Sequence, residues 1–130
     1  MLDIETLSVM PNAVVLTLGA VKFDPYSDAD PHTGLYSRLN VDEQLALGRA
    51  VDNDTLDWWS KQEAHIRDEA LGDEDRISVE AFLHELRRYV VGVNRIFCQG
   101  PVFDIVILEN LFRQYKLPIL NQLYGLLENG

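Results

Sequence analysis

Asp3 and Glu5 stand two residues apart near the start of the chain, in Met1-Leu2-Asp3-Ile4-Glu5. On a β-strand that spacing sends both carboxylates out of one face while Leu2 and Ile4 enter the other. Two neighbouring acids repel each other, so the pair is stable when exposed, protonated or neutralised by cations. Hard divalent ions such as Mg²⁺ or Mn²⁺ prefer this all-oxygen donor set. The plainer reading is a polar strand end that carries two acids. A third carboxylate, Asp104, follows a short apolar stretch and the Gly100-Pro101 break, at the first turn of an apolar helix. Asp is a favoured N-cap and suits the positive end of a helix dipole, so capping accounts for it as well. Either role puts the acid at the mouth of a sheet, where α/β proteins build their sites. A right-handed crossover would set a strand at 95–99 beside the first strand and bring Asp104 to Asp3 and Glu5.

The elements that must position these acids are read from periodicity. Met1–Glu5 is a strand and Pro11-Asn12 a turn. Ala13–Phe23 is apolar on both alternating faces, as expected of a central strand covered on both sides. Residues 24–34 form a loop. Leu35, Ser37, Leu39 and Val41 then alternate with Tyr36, Arg38 and Asn40, the pattern of a half-buried strand. Asp52-Asn53-Asp54 offers N-caps for a helix over Thr55–Gln62, and the charged Glu63–Arg76 is either an exposed helix or a loop. Ser78 caps a helix whose Val79, Phe82, Leu83, Leu86, Val90 and Val93 share one face. Arg95–Gln99 is a short strand. Phe103–Lys116 is a helix with Ile105, Leu108, Phe112 and Tyr115 on one face, ended by Pro118. The fold class is α/β with a mixed sheet, in a single domain over residues 1–130.

Composition narrows the function. The chain is 47% apolar and 25% charged, which excludes intrinsic disorder and collagen-like repeats. A formal charge of −10 argues against gripping duplex DNA by broad phosphate neutralisation. It leaves room for a nuclease, whose acidic site is recharged by bound cations. Cys98 is the single cysteine, so no internal disulfide or cysteine zinc site forms. His32, His65 and His84 lack ligand spacing. No segment approaches the ~18 apolar residues of a membrane span, and the acidic N-terminus is unlike a signal peptide. The expectation is a cytoplasmic protein with no membrane partner. Trp58 and Trp59 point about 100° apart on a helix, so at most one stacks on a base while the other is core. Arg87-Arg88 with Arg95, and Arg113 with Lys116, are small phosphate-binding patches or solvated helix faces.

These residues carry a resemblance. Asp3-Ile4-Glu5-Thr6-Leu7, with Pro11-Asn12-Ala13-Val14-Val15-Leu16-Thr17-Leu18-Gly19-Ala20-Val21, resembles the first exonuclease motif of the DnaQ-like (DEDD) 3′–5′ exonucleases. More narrowly it is similar to the exodeoxyribonuclease VIII-like branch. Asp52-Asn53-Asp54-Thr55-Leu56-Asp57-Trp58-Trp59 resembles that branch's helix with paired tryptophans. Gln99-Gly100-Pro101-Val102-Phe103-Asp104-Ile105-Val106-Ile107-Leu108 resembles its second exonuclease motif. The similarity runs in order from about residue 1 to residue 118. It implies a ribonuclease H-like mixed sheet, an antiparallel meander followed by α-β-α, with helices on both faces. It also implies removal of nucleotides from single-stranded DNA or RNA 3′ ends by two-metal hydrolysis. By position, Asp3 would bridge both ions, Glu5 would hold the first and Asp104 the second. Thr6 and Leu7 would lie against the terminal nucleotide, with Phe103 beside it or in the core.

The resemblance stops short of a third motif, which in the family supplies a histidine or tyrosine general base and a fourth acid. Asn121–Gly130 contains no His-x-x-x-x-Asp or Tyr-x-x-x-Asp, and Tyr124 and Glu128 are a poor replacement. The expectation is a domain truncated in its C-terminal part, holding one ion in place of two, with impaired activity. An uncovered sheet edge would suit a second copy of the chain, as a homodimer. The alternative is a catalytically inactive remnant, as a prophage gene would leave, that binds nucleic acid or self-associates.

Overall fold

A computed structural model describes residues 1–22, 34–93, 96, 98 and 101–120. Among them are β1 (Leu2–Thr6), β2 (Val15–Ala20), β3 (Leu35–Leu39), α1 (Val41–Ala46), α2 (Asn53–Ser60), α3 (Ala64–Leu71), β4 (Arg76–Ile77), α4 (Val79–Tyr89) and α5 (Pro101–Gln114). The strands form one mixed sheet in the order β1-β2-β3-β4. The first three make the expected antiparallel meander, and β4 joins β3 in parallel. The architecture is mixed α/β. No helix among the described residues is long and apolar enough to cross a membrane.

The sheet carries a core on each face. Leu2, Ile4, Leu18, Ala20 and Leu39 pack under Phe82, Leu83 and Leu86 of α4 and Ile105, Leu108, Leu111 and Phe112 of α5. On the other side Leu7, Val14 and Leu16 meet Trp59 of α2 and Ala70 of α3. A β-bulge makes this division possible. Glu5 opposes Thr17, but Thr6 opposes Val15, so Leu16 is an extra residue in β2. The bulge shifts the alternation by one. Ala13 and Val15 therefore face the same core as Leu18 and Ala20, while Val14 and Leu16 face the smaller one.

Backbone groups near the bulge are satisfied by side chains. Gln44 of α1, wholly buried, accepts from Val15 N at 2.8 Å and donates Nε2 to Val15 O at 2.9 Å, standing in for a neighbouring strand. Arg76 donates Nη1 to Leu16 O and to Leu39 O, both at 2.9 Å. Gln44→Met keeps the side-chain volume but leaves both Val15 groups buried and unpaired. It is expected to lower stability by about 2–4 kcal/mol, read as a fall in the denaturant midpoint at unchanged slope.

Several boundaries differ from the sequence reading. The strand expected to run through Val41 ends at Leu39, because Asn40 caps α1 by accepting from Glu43 N at 3.0 Å. The open region 63–76 contains α3 and the two-residue β4. Ser78 caps α4 by accepting from Ala81 N at 3.1 Å, but the helix stops before Val93, with Val90 as C-cap and Gly92 at φ +84°. The α5 helix begins at Pro101, not Phe103, since proline is well suited to the first helical position. It ends at Gln114, and Lys116 turns the chain at φ +57° while Leu117 N bonds Phe112 O at 3.0 Å. Of the strand expected at 95–99, Cys98 makes a parallel bridge to Leu2; Arg95, Phe97 and Gln99 lie outside the described residues. So do His32, Phe23, most of the 24–34 loop, and the tail with Tyr124 and Glu128. Two of the arginines weighed as phosphate patches, Arg87 and Arg113, have internal partners. Arg87 donates to Pro118 O and lies over the Phe112 ring, and Arg113 pairs with Glu109 at 2.6 Å.

Candidate active site

On β1, side chains alternate: Leu2 and Ile4 are buried, while Asp3 is exposed and Glu5 half-buried on the opposite face. The strand is flanked by β2 and, at Leu2, by Cys98. Beyond Glu5 the chain is pinned on all sides. Thr6 Oγ1 donates to Ser8 O at 2.7 Å, and Trp59 Nε1 donates to Thr6 O at 2.9 Å. Ser8 Oγ and Val9 N both donate to one carboxylate oxygen of Asp52, at 2.8 and 3.1 Å. Asp52 is the N-cap residue of α2, yet its side chain caps nothing within the helix and holds the loop after β1. The first residue of the Asp52-Asn53-Asp54 run thus positions the acidic strand, a role that cap signals alone do not reveal.

Asp104 lies in the first turn of α5, past the N-cap position, and is 4% exposed. Burial pushes its carboxyl up to about 6, and the charges of Asp3 and Glu5 add to the rise. Glu5 is raised by burial and then by Asp3. The neighbouring Cys98 thiol is pushed up to about 11, first by burial and then by Asp104, so it is inert as a nucleophile at neutral pH. The three acids singled out from the sequence therefore share one electrostatic field. Asp104 Oδ2 is also buried with no hydrogen-bond partner among the described residues. Among the described residues no three His, Cys, Asp or Glu side chains are gathered closely enough to hold a metal ion as they stand. A divalent cation nonetheless suits the donor set: it is all oxygen, mutually repelling, and has one buried oxygen unpaired.

The residues expected against a nucleotide divide. Leu7 belongs to the smaller core and is 6% exposed. Thr6 alternates onto the face opposite the acids, and its hydroxyl is engaged by Ser8. Phe103, next to Asp104, is 36% exposed and outside the core. The tryptophan pair resolves as its geometry requires: Trp59 is buried and bonded to Thr6, while Trp58 is 53% exposed and set edge-on to it, with ring centres 4.8 Å apart.

Residues 1–124 match the family model described as the 3′–5′ exoribonuclease Rv2179c-like domain. The chain belongs to this family. No curated protein matches it. The match covers all three acids and both tryptophans, so the Rv2179c-like domain marks the chain as a nuclease-type hydrolase, exoribonuclease-like, with nucleic acid as its class of substrate.

Proposed function

We propose that this chain is a metal-dependent 3′–5′ exonuclease domain of ribonuclease H-like fold that removes nucleotides from single-stranded 3′ ends, RNA in preference to DNA. Asp3, Glu5 and Asp104 hold Mg²⁺ or Mn²⁺. The observation that carries this reading is the field the three carboxylates share around the unpaired Asp104 Oδ2. The topology agrees with it. A meander with Cys98 parallel to β1, an Asp-x-Glu pair on β1 and an acid in the following helix are the features that the resemblance to DnaQ-like, exodeoxyribonuclease VIII-like exonucleases leads one to expect.

When bound, such ions activate the attacking water and stabilise the leaving oxygen. The chain's own part is to aim and confine. Asp3 is exposed and turns without disturbing the core. Glu5 is fixed by the strand, and the pinned Thr6–Ser8 segment keeps the strand end from fraying. Phe103 and Trp58 offer exposed rings on which unpaired bases stack. Among the described residues only Asp3 and Glu5 act by charge on Asp104. We therefore expect slow turnover, with one ion held more firmly than a second.

The test is release of 3′ nucleotides from 5′-labelled single-stranded RNA and DNA in Mn²⁺, with EDTA as control. Metal-dependent shortening from the 3′ end supports the reading, and RNA-to-DNA rate ratios set the sugar preference. RNA binding with no metal-dependent shortening would recast the chain as a binding domain.

A further inference from the structure

Between the acids and the far edge of the sheet lies a row of residues that the proposed chemistry does not use. Asp3 opposes Gly19 on β2, and Gly19 opposes Tyr36 on β3. Directly opposed residues of antiparallel strands point to one face, so Tyr36 stands on the acidic face about 10 Å from Asp3, two strand spacings away. An exposed tyrosine on a strand is ordinary. Three features set Tyr36 apart. Its ring is 53% exposed, yet its hydroxyl is anchored by donating to Glu69 of α3. The residue between it and Asp3 is glycine, and among the described residues a Cβ there would meet only Tyr36 Cδ2, at 4.0 Å. The ring therefore borders an open floor that leads to the acids. Finally, the adjacent row runs Glu5, Thr17, Arg38, Arg76. It brings two half-buried guanidiniums onto the same face, Arg38 donating to the main-chain carbonyls of Gly72 and Glu74 and Arg76 to those of Gly72, Leu16, Leu39 and Ala70, and neither makes an ion pair among the described residues.

We propose that Tyr36 is a positioning residue for the substrate strand. A base of single-stranded RNA just upstream of the 3′-terminal nucleotide stacks on its ring, over the Gly19 floor, with the following phosphates passing toward Arg38 and Arg76. This inference rests on the nuclease reading and adds to it the path by which the strand leaves the acids. The arrangement suits an aromatic face with cations beyond it, the usual composition of single-strand platforms. It also gives Gly19 a reason: any larger side chain would fill the floor.

The experiment uses the whole chain in EDTA, with a fluorescently labelled oligoribonucleotide carrying 2-aminopurine at the penultimate 3′ position. Tyr36→Ala is expected to weaken binding roughly ten- to hundredfold and to abolish the quenching of 2-aminopurine. Tyr36→Phe keeps the ring, loses only the Glu69 bond, and is expected to bind and quench like the parent. Gly19→Val suits a strand and meets no close atom of the described residues beyond the Tyr36 ring, so it should fold and yet bind as poorly as Tyr36→Ala. That variant decides the matter if Tyr36→Ala is unstable. Parent-like binding and quenching in folded Tyr36→Ala, or in Gly19→Val, overturns the inference while leaving the nuclease reading to its own assay. Equal losses in Tyr36→Phe and Tyr36→Ala overturn it too, by assigning the effect to the Glu69 link. A parent chain that binds no RNA in EDTA overturns this inference and leaves the metal-dependent nuclease reading to its own assay.

Discussion

Asp3→Asn is expected to lower metal-dependent release of 3′ nucleotides by about 10³-fold or more while leaving the fold intact. The substitution keeps the size of the side chain and removes one charge from an exposed position on β1. A cation held between Asp3 and its neighbours contributes several kcal/mol to the transition state, and every ~1.4 kcal/mol lost is a tenfold drop in rate. Stability should not fall, because Asp3 contributes repulsion and no buried packing to its surroundings. Single-turnover shortening of labelled RNA under enzyme excess measures the loss, with Asp68→Asn, an exposed acid on α3, as the unchanged reference. Release within tenfold of the parent would remove Asp3 from the site and with it the metal reading.

The second large effect is one of opposite sign in stability and activity. Asp104 carries a carboxyl raised from 3.8 to about 6. The folded chain therefore binds this proton more tightly than the unfolded chain does, and stability falls as pH rises from about 4 to about 6. Above that range the penalty is constant. The full difference corresponds to about 3 kcal/mol, and solvent screening leaves about 1–2 kcal/mol of it. Asp104→Asn, uncharged at every pH, is expected to be more stable than the parent by that amount at pH 7–8 in EDTA, with the advantage vanishing below pH 4. Mn²⁺ should reverse the order. A cation that binds only the folded parent adds about 2.7 kcal/mol at a hundred times its dissociation constant, and Asp104→Asn should lose most of this gain together with nucleotide release. Melting curves across pH with EDTA or Mn²⁺ test both halves. If the stability difference has the same size at pH 4 and pH 8, Asp104 does not carry the raised carboxyl. An acid that weakens the apo fold yet stays in place is intelligible when its charge serves a ligand.

What was legible in the residues follows from which signals are periodic. The α4 helix declared itself by spacing because its apolar residues repeat over three turns and Ser78 supplies the cap. The Asp3–Glu5 pair was legible for the same reason, since a period of two has one structural meaning on a strand. The α1 helix was hidden: Val41 continues the alternation of β3, and only Asn40 with Glu43 three residues on marks the change. Two-residue β4 has no period to detect, and long-range bonds from Arg76 hold it in place. The bulge was invisible because β2 is apolar on both faces, so a change of parity leaves the pattern looking the same. Thr6 and Leu7 sit beside the acids in sequence, but strand alternation and the packing of Leu7 under Trp59 turn them inward. Asp104 was ambiguous on residue type alone. Its burial and its two charged neighbours exist only once Cys98 lies beside Leu2.

Gain and loss of residues in this chain are constrained unequally along its length. Deleting one residue from β2 would restore an even ladder with β1, and the even ladder is the harmful outcome. Ala13 and Val15 would rotate from the large core toward the face that carries Asp3 and Glu5, and the groups held by Gln44 and Arg76 would lose their partners. Point changes within β2 disturb single contacts, whereas a change of length resets every side chain on one side of the step. A change in the residue count between Ala13 and Ala20 is therefore expected to cost the fold far more than a conservative substitution within β2.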